Sequence, residues 1–423
     1  MFETRPLRDA VSSQTGGGTP ARQVGSYWGG HIPWASVKDF TDESNSLVAT
    51  AEYITHSGLQ ASASNLIPAG TPLVCTRMAV GRSAIATMPV AINQDVKALF
   101  PARGTSAAYL LRLLQYVQPR ADGAAVGSTV KGIRIQDYLS LEVPMAPQHE
   151  QDCIAQVLDT LDTTIRQTEA IIEKLKQVKQ GLLHDLLTRG IDANGELRPP
   201  PGEAPHLYKA SPLGWIPVEW HVQRLADFTA SDITYGIVQA GPHIEGGIPY
   251  IRTGDMSGEY LDRAGLQCTS TRIAKSYSRS EVRAGDIVMA IRATVGKVLP
   301  VPVELDGANL TQGTARIAPN SDSDPTFLLW ALRFQRTQDS ISAEIKGTTF
   351  AEITLAALRE IPVAAPMKLV EQRAIAERMQ ACERRIDAER AQLQKLRRQK
   401  SGLMDDLLTG RVRVTPLLAQ QAA

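Results

Sequence analysis

Residues that could form a catalytic site are sparse in this sequence of 423 residues. The motifs GxxxxGK[ST], GxGxxG after a strand, HExxH and GxSxG are absent, and so is the Asp-Pro-Pro-Tyr or Asn-Pro-Pro-Tyr tetrapeptide of adenine methyltransferases. Asp339, Glu344 and Lys346 have the composition of a nuclease carboxylate and lysine set, but this set occurs once in a chain that repeats most of its other features. We therefore predict that the chain has no catalytic site of its own.

Sites for metals and phosphates are not indicated either. The TGGGTP stretch at 15–20 could bind a phosphate through backbone amides, but no lysine follows it, so a Gly-Pro turn is the preferred interpretation. The seven histidines have no partners at a metal-ligand spacing that recurs in the chain. The cysteines form no CxxC pair, which argues against a disulfide framework or a zinc site; they are Cys75, Cys153, Cys268 and Cys382.

The most basic segment runs from Arg263 to Lys297 and contains only two acids, Glu281 and Asp286. A formal net charge of +1 excludes a protein that coats nucleic acid by bulk electrostatics, because non-specific affinity scales with the number of phosphates neutralised. Any contact with DNA must therefore come from local clusters, although a solvated mixed surface explains this segment equally well on charge alone. The basic residues of the cluster are Arg263, Arg272, Lys275, Arg279, Arg283, Arg292 and Lys297.

An internal repeat organises the elements that must position such residues. HIPWASVKDF at 31–40 matches GIPYIRTGDM at 247–256, and GSTVKGI from Gly127 matches GTTFAEI from Gly347. The offset drifts by only a few residues until GLLHDLLT from Gly181 matches GLMDDLLT from Gly402. The front of each copy has short alternating apolar runs, turns and one helix, which predicts an α+β domain with a mainly β core.

The back of each copy is a heptad-patterned helix. The apolar residues recur at steps of three and four, and adding 221 to each position in the first copy gives the seam of the second. Polar residues interrupt both seams at matching places: Thr168 and Lys179 in the first helix correspond to Glu389 and Lys400 in the second. The predicted seam residues are Ile154, Leu158, Leu161, Ile165, Ile172 and Leu175 in the first helix and Ile375, Met379, Ile386, Leu393 and Leu396 in the second.

The interruptions predict how the two helices pair. A parallel pair in register would place Lys179 beside Lys400, whereas an antiparallel pair sets Lys179 opposite Cys382 and Lys400 opposite Leu161. The residues at 148–187 carry seven acids and four bases, and those at 367–408 carry seven acids and ten bases, so the helices have opposite net charge. We predict an antiparallel two-helix coiled coil of about 60 Å with one domain at each end, related by a pseudo-twofold axis.

The predicted order of segments follows directly. It is a first domain at 1–147, a first heptad helix at 148–189, a Pro- and Gly-rich surface connector at 190–217, a second domain at 218–366, a second heptad helix at 367–410 and a tail at 411–423. No segment resembles a secretory signal or approaches the roughly 20 apolar residues of a membrane span. We therefore predict a cytoplasmic protein that contacts no membrane.

The sequence resembles the specificity subunit of type I restriction-modification systems. GGGTPARQVGSYWGGHIPWASVKDF and YGIVQAG with GGIPYIRTGDM look like two types of target recognition domain opening. The pairs Glu150-Gln151 and Glu371-Gln372, the two helix ends, the GIDANGELR connector and LGWIPVEW also fit. The resemblance spans nearly the whole chain and depends on the ordered set of motifs.

The resemblance implies a non-enzymatic subunit whose two target recognition domains each read one half of a bipartite, asymmetric sequence in double-stranded DNA. It implies two methyltransferase subunits as partners, with translocase and endonuclease subunits in the full complex that defends against foreign DNA. S-adenosylmethionine, ATP and Mg²⁺ would then belong to the partners, and this chain would hold no cofactor. Because the second opening lacks the GGTP form, we expect the two domains to read different half-sites.

Arg, Lys, Asn and Gln side chains read base edges best, and loops on a β core are where we expect them. The predicted DNA-binding residues of the first domain are Arg22, Tyr27, Lys38, Arg77, Arg82, Thr129 and Lys131. Those of the second domain are Tyr235, Gln239, Arg252, Arg272, Lys275, Arg292, Lys346 and Thr349. The alternatives are a protein-interaction scaffold without a nucleic-acid role and, less favoured by the missing motifs, a self-contained modification or restriction enzyme.

Overall fold

The structure, a computed structural model, describes residues 1–41, 44–127, 130–347 and 351–421. The chain forms two compact units, of which the first comprises Met1–Ile171 with Glu389–Ala423 and the second comprises Ile172–Ala388. This division differs from the linear order of segments predicted above, because each long helix contributes one part to each unit.

The first unit contains two β-sheets and a separate pair of strands. Its strands are β1 (Glu3–Pro6), β2 (Val11–Gly16), β3 (Trp28–Ala35), β4 (Ser46–Leu47), β5 (Glu52–Ile54), β6 (Asn65–Ile67), β7 (Pro72–Cys75), β8 (Ser83–Ala86), β9 (Val90–Ile92), β10 (Val96–Pro101) and β11 (Glu142–Met145). One sheet has the order β2-β10-β7-β8-β4 and the other β5-β3-β9-β6, while β1 pairs with β11. Several of these short strands are buried on both faces, so their sequences are continuous apolar runs and do not alternate between apolar and polar residues.

Short helices and parts of the two long helices complete the first unit. They are α1 (His56–Gln60), α2 (Ala107–Ala124), α3 (Ile135–Leu139) and, at the chain's end, α10 (Thr415–Gln421), together with parts of the long helices α4 (Gln148–Thr188) and α9 (Leu369–Thr409). Helix α2 begins at an N-cap, where the Ser106 hydroxyl accepts a hydrogen bond from the Tyr109 amide at 3.2 Å. Its apolar face lies in one core cluster with the first turns of α4 and the end of α9.

The second unit repeats this plan. Its strands are β12 (Tyr208–Ser211), β13 (Gly214–Pro217), β14 (Trp220–Arg224), β15 (Thr234–Tyr235), β16 (Ile248–Ile251), β17 (Gln267–Thr269), β18 (Ile287–Ala290), β19 (Val298–Pro300), β20 (Asn309–Leu310), β21 (Thr314–Ile317) and β22 (Pro362–Pro366). Its shorter helices are α5 (Thr271–Ser276), α6 (Pro325–Arg333), α7 (Gln335–Ala343) and α8 (Leu355–Glu360). The sheets β15-β21-β18-β19 and β17-β16-β20 and the pair β14-β22 correspond to those of the first unit. The predicted α+β fold and its internal duplication are confirmed.

Within each unit, a segment of α4 packs against a segment of α9, and the two run antiparallel. In the first unit Lys400 Nζ lies 2.5 Å from the Asp162 carboxylate, and Arg397 lies 2.7 Å from Glu169. In the second unit Lys179 Nζ lies 3.0 Å from the Glu383 carboxylate. Each lysine that interrupts a seam thus pairs with an acid one position beyond its predicted opposite residue.

The apolar residues of the predicted seam line these contacts. Most are buried, whereas Leu161, Leu175 and Leu393 are half-buried. The buried members are Ile154, Leu158, Ile165, Ile172, Ile375, Met379, Ile386 and Leu396. Burial of this face is what stabilises each helical segment, because helix propensity alone contributes little to a helix in a folded protein.

Two glutamines at the starts of the long helices anchor the domain helices. The Gln151 side-chain oxygen accepts from the backbone amide of Ser106, the N-cap of α2, at 2.9 Å, and Gln372 does the same for Asp324, the N-cap of α6, at 2.8 Å. Their amide groups donate to backbone carbonyls at 3.0–3.2 Å. Each domain is therefore fixed to its helix by buried hydrogen bonds as well as by apolar packing.

The neighbouring glutamates anchor the segment that follows the other helix. Glu371 accepts from the Arg198 guanidinium at 2.6 Å, from Trp220 Nε1 at 3.0 Å and from the Ile191 amide at 3.0 Å, all within the second unit. In the first unit the fully buried Glu150 accepts from Arg413. In each Glu-Gln pair, therefore, the glutamine binds the N-cap of a domain helix and the glutamate binds the segment after the other long helix.

The connector at 190–217 is more ordered than its Pro- and Gly-rich composition predicts. Strands β12 and β13 form a hairpin, and Ile191 and Ile216 are buried in the core of the second unit. The Arg198–Glu371 ion pair, which joins residues 173 positions apart, holds this segment in place. None of the described helices is long and apolar enough to cross a membrane.

We predict that the double variant Leu161→Asp, Leu396→Asp unfolds the first unit and prevents assembly with partner subunits. Each aspartate would place a charge in the apolar contact between α4 and α9, at a cost of several kcal/mol if it stays ionised. A thermal melt followed by circular dichroism measures the loss. The control is Val178→Asp, at an exposed position of α4, which should melt like the wild type. A normal melt and an intact complex for the double variant would disprove the coiled-coil contact.

A second prediction concerns Asp162, whose carboxylate accepts from Lys400 and Arg112. Burial raises its pKa, but the hydrogen bond from Lys400 and the charge of Arg112 outweigh burial, so the pKa lies below its usual value. Asp162→Asn should cost about 3 kcal/mol or more at pH 7, since it leaves a buried arginine without its buried partner. A carboxylate with a lowered pKa stabilises the fold above its unfolded pKa of about 4, and this contribution is lost as the pH falls below that value.

The matched control is Asp159→Asn, because Asp159 also binds Arg112 but its side chain is 55% exposed, against 7% for Asp162. An exposed pair contributes at most about 1 kcal/mol. Urea unfolding at pH 7 and pH 3 would measure both variants. Equal costs for the two substitutions, or a cost of Asp162→Asn that does not shrink at pH 3, would contradict this account.

Candidate nucleic-acid interface

Each unit carries a turn between two strands that is hydrogen-bonded to a distant loop, and we call this arrangement a platform. The first platform consists of the β7–β8 turn (76–82) and the loop at 126–133; the second consists of the β18–β19 turn (291–297) and the loop at 346–353. Residues 128–129 and 348–350 of these loops, and with them the predicted Thr129 and Thr349, lie outside the described residues.

Matching backbone hydrogen bonds hold both platforms together. In the first platform, the Met78 amide donates to the Lys131 carbonyl at 2.8 Å, and the Ile133 amide donates to the Thr76 carbonyl at 2.9 Å. In the second, the Ala293 amide donates to the Ala351 carbonyl at 3.0 Å and Ile353 to Ile291 at 3.1 Å. A reciprocal pair of backbone hydrogen bonds also joins the two ends of each loop. It connects Val126 with Gly132 in the first loop and Lys346 with Glu352 in the second.

The platforms share a strained backbone position. Met78 has φ of 64° and Ala293 has φ of 60°, and among the described residues no other non-glycine residue has a positive φ. The left-handed region costs an ordinary residue about 1–2 kcal/mol, so the surrounding hydrogen bonds must hold these residues in it. Strain of this kind clusters at functional sites. That it recurs at the same point of both copies marks the platforms as candidates.

The side chains on this common backbone differ between the copies. Arg77 corresponds to Arg292, but Met78 corresponds to Ala293 and Val126 to Lys346. Lys131 corresponds to Ala351, and Gly132 to Glu352. Val130 corresponds to Phe350, which lies outside the described residues. At the described positions the first platform is therefore basic and apolar, while the second is charged with both signs.

Of the residues predicted in the first domain, the structure brings Arg77 and Lys131 together on the first platform. Arg77 lies 3.4 Å from Asp95, and Lys131 lies 3.9 Å from Asp122, and both cations are more than half exposed. Arg82 ends the same turn, but its guanidinium donates to the Phe40 carbonyl at 3.5 Å and is half-buried, away from the loop.

The other residues predicted in the first domain lie at the β3-β5 edge. The Arg22 guanidinium lies 3.9 Å from the centre of the Trp28 ring and forms an ion pair with Glu52. The hydrogen bond from Arg22 holds the pKa of Glu52 below its usual value, although burial opposes this. Arg22 thus has a structural role as well as charge, which its isolated position in the sequence did not reveal. Lys38 is exposed, and Tyr27 is half-buried.

In the second domain, Arg292 and Lys346 meet on the second platform. Arg292 forms an ion pair of 2.9 Å with Glu352, while its Nε is buried without a hydrogen-bond partner. Lys346 is exposed and has no ion pair among the residues described. Arg292 is thus fixed in direction by one carboxylate and retains donors that a ligand could use.

The remaining residues predicted in the second domain are dispersed. Arg252 is bound by both oxygens of Asp255 across a short turn, with Nε and Nη2 at 3.0 and 2.7 Å. Tyr235 and Gln239 are exposed near β15, and Arg272 and Lys275 are exposed on α5. These residues are not brought to the platform by any contact in the described part of the chain.

The basic cluster at 263–297 is less basic in space than in sequence. Arg283 pairs with Glu281 at 2.8 Å and with Asp306 at 3.7 Å, and Asp286 turns away to bind Arg316 at 2.6 Å. Arg263 and Lys275 line a cleft with Glu304 and Asp306 as well. Acids from 304–306 approach the cluster after folding, which fits the mixed surface that the sequence analysis left open.

No catalytic or metal centre emerges from the described residues. Asp339 accepts a hydrogen bond from Gln335 on its own helix at 2.7 Å, and no contact joins it to Lys346. No group of three or more His, Cys, Asp or Glu side chains in the described ranges could hold a metal ion. The exposed apolar platform residues Met78, Val126 and Val130 were not predicted from the sequence, because they lack the hydrogen-bonding groups that indicate a contact with base edges.

Comparison with known proteins agrees with this architecture. A family model described as the type I restriction modification DNA specificity domain matches twice, over residues 2–177 and 217–398. The MjaIX specificity subunit of Methanocaldococcus jannaschii is 22% identical over 98% of this chain and 94% of its own length. The MjaVIII specificity subunit of the same organism is 24% identical over 73% of this chain and 71% of its own length.

A solved structure shows the same fold. The type I restriction-modification S subunit from M. genitalium is 17% identical, covers 96% of both chains and superposes with a TM-score of 0.57. Two copies of the family domain, each carrying one platform, account for more than three quarters of the sequence. The chain therefore belongs to the family of type I restriction-modification DNA specificity subunits.

Proposed function

We propose that this subunit reads a bipartite, asymmetric site in double-stranded DNA, with one platform facing each half-site. The observation that supports this proposal is that the two platforms share a backbone and differ in side chains. A common backbone gives both domains the same approach to a duplex, and different side chains give them different base preferences.

The platforms contain both kinds of side chain that DNA recognition needs. Arginine can contact guanine O6 and N7 with two hydrogen bonds, and exposed lysines such as Lys131 and Lys346 can bind phosphates. Contacts to phosphates fix the position of the protein, whereas contacts to base edges give specificity. The low net charge of the chain suits a subunit whose partners supply much of the phosphate contact.

We further propose that the long helices set the number of base pairs between the half-sites. Each is one continuous helix of 41 residues, about 60 Å at 1.5 Å per residue. Two half-sites on a duplex must be met at a fixed separation and helical phase. Continuous helices stiffened by antiparallel contacts are suited to that task.

The chemistry belongs, in this proposal, to partner subunits. Two methyltransferase subunits would use S-adenosylmethionine to methylate adenine, and restriction subunits would use ATP and Mg²⁺ for translocation and cleavage. The absence of catalytic motifs from the sequence supports a non-catalytic role for this chain. Because the substrate is cellular or invading DNA, we place its action in the cytoplasm.

The test of the proposal is methylation-sensitive sequencing of the host genome with and without this gene. The expected result is a bipartite motif, methylated on adenine, that disappears on deletion and returns when the gene is restored. An unchanged methylome, together with failure of the reconstituted complex to retain DNA, would support the protein-interaction scaffold instead.

We predict that Arg292→Ala weakens binding of the assembled complex to its DNA site by roughly 10- to 100-fold, which corresponds to about 1–3 kcal/mol for a lost arginine contact to a base. The measurement is a titration at fixed salt concentration with partner subunits present. Folding should persist, because Arg292 is partly exposed and its ion pair with Glu352 is a surface one.

Arg283→Ala is the matched control for Arg292→Ala. Arg283 belongs to the same basic segment but lies off the platform, paired with Glu281 and Asp306. Its loss should change the affinity less than threefold. Equal effects of the two substitutions would remove Arg292 and the second platform from the proposed interface.

A further inference from the structure

We propose that Met78 is an apolar wedge that enters a base step of the half-site read by the first domain, and that its counterpart in the second domain, Ala293, is too short to do so. This inference rests on the proposed function, in which the platforms face DNA. It goes beyond that function by assigning a distortion of the DNA to one half-site and to one side chain.

The first observation is exposure. Met78 is 62% exposed and Val126 is 80% exposed, and Val130 on the same loop is exposed as well. The Met78 amide is bonded to Lys131, the neighbour of Val130, and Val126 is paired with Gly132 in the same loop. Single exposed apolar residues are ordinary, but these three share one small platform.

The second observation is the backbone. Met78 is held at φ of 64°, and its counterpart Ala293 is held at 60° by an equivalent hydrogen bond. The strained geometry therefore belongs to the platform and does not arise from the methionine. What differs is the side chain that this geometry projects, which is long and flexible in one copy and a single methyl group in the other.

The third observation is charge. Arg77 precedes Met78, and the Lys131 carbonyl accepts the hydrogen bond of the Met78 amide. Both cations are more than half exposed, although each also lies near a carboxylate, Asp95 at 3.4 Å from Arg77 and Asp122 at 3.9 Å from Lys131. A base step has the complementary arrangement, with an apolar stack between two negatively charged backbones. On the second platform a glutamate, Glu352, takes the position of Gly132 within the loop itself, and it forms an ion pair of 2.9 Å with Arg292.

Proteins that insert methionine, leucine or similar side chains between base pairs partly unstack the step and kink the duplex. The cost is lowest at flexible pyrimidine–purine steps, which gives specificity without a hydrogen bond to a base. We therefore expect the first half-site to contain such a step at the wedge, and the second half-site to be bound without unstacking.

The test uses the assembled complex on its own DNA site, with 2-aminopurine placed in each half-site at positions other than the methylated adenines. Wild-type protein should raise the fluorescence at one step of the first half-site only. Met78→Ala, which copies the second platform, should abolish this rise and weaken binding roughly tenfold without changing its salt dependence. Met78→Leu should retain the rise, and Val303→Ala, an exposed apolar position off the platforms, should behave as wild type.

Two results would overturn the wedge while leaving the proposed function intact. One is tight binding by the wild-type complex with no unstacking in the first half-site; the other is an unchanged rise in fluorescence for Met78→Ala. A wild-type complex that does not retain the site at all would instead overturn the proposed function, and the wedge with it.

Discussion

The pairing of a lysine from one long helix with a carboxylate from the other is the interaction on which the structure depends. It occurs once in each unit, as Lys400 with Asp162 and as Lys179 with Glu383. A heptad seam of Leu and Ile tolerates several registers, since apolar contacts are not directional. A half-buried lysine permits only the register that places its ammonium group beside a carboxylate. These two ion pairs therefore fix the direction and the register of the helices, and through the Gln151 and Gln372 hydrogen bonds the position of each domain follows.

The surroundings of these two pairs are not identical. In the first unit Asp162 also binds the buried Arg112 and Asn45, and the adjacent cleft has a volume of only about 120 Å³. In the second unit Trp330 occupies the place of Arg112, Lys179 lies 5.5 Å from its ring centre, and the corresponding cleft measures about 900 Å³. The duplication has thus kept the charge pair that sets the register while the packing around it diverged. The same pattern, a common frame with different side chains, describes the platforms.

Much of this could be predicted from the sequence, because it depends on periodicity and on comparison of the chain with itself. The two domains, the two helices and the pairing of Lys179 and Lys400 follow from matched heptad interruptions, although each lysine binds one residue beyond the expected one. The platforms could not be predicted in this way. Their hydrogen bonds join 76–78 to 131–133 and 291–293 to 351–353, segments that are more than 50 residues apart and have no periodic pattern.

The predicted DNA-binding residues show the same limit. Arginines such as Arg22 and Arg252 looked available in sequence, yet folding brings Glu52 and Asp255 against them. Charge in sequence overstates free charge in space, because ion pairs form with acids from any distance along the chain. Met78 was overlooked for the opposite reason, since an apolar residue in a turn gives no chemical signal until its backbone and exposure are known.

We propose that each platform reads one half of a bipartite site. The most direct test is sequencing of adenine methylation in cells whose only specificity subunit has three residues of the first platform replaced by their counterparts from the second, Met78→Ala, Val126→Lys and Lys131→Ala. We expect one half of the methylated motif to change or become degenerate, while the other half and the number of base pairs between them stay the same. A motif that changes in both halves, or in neither, would contradict it.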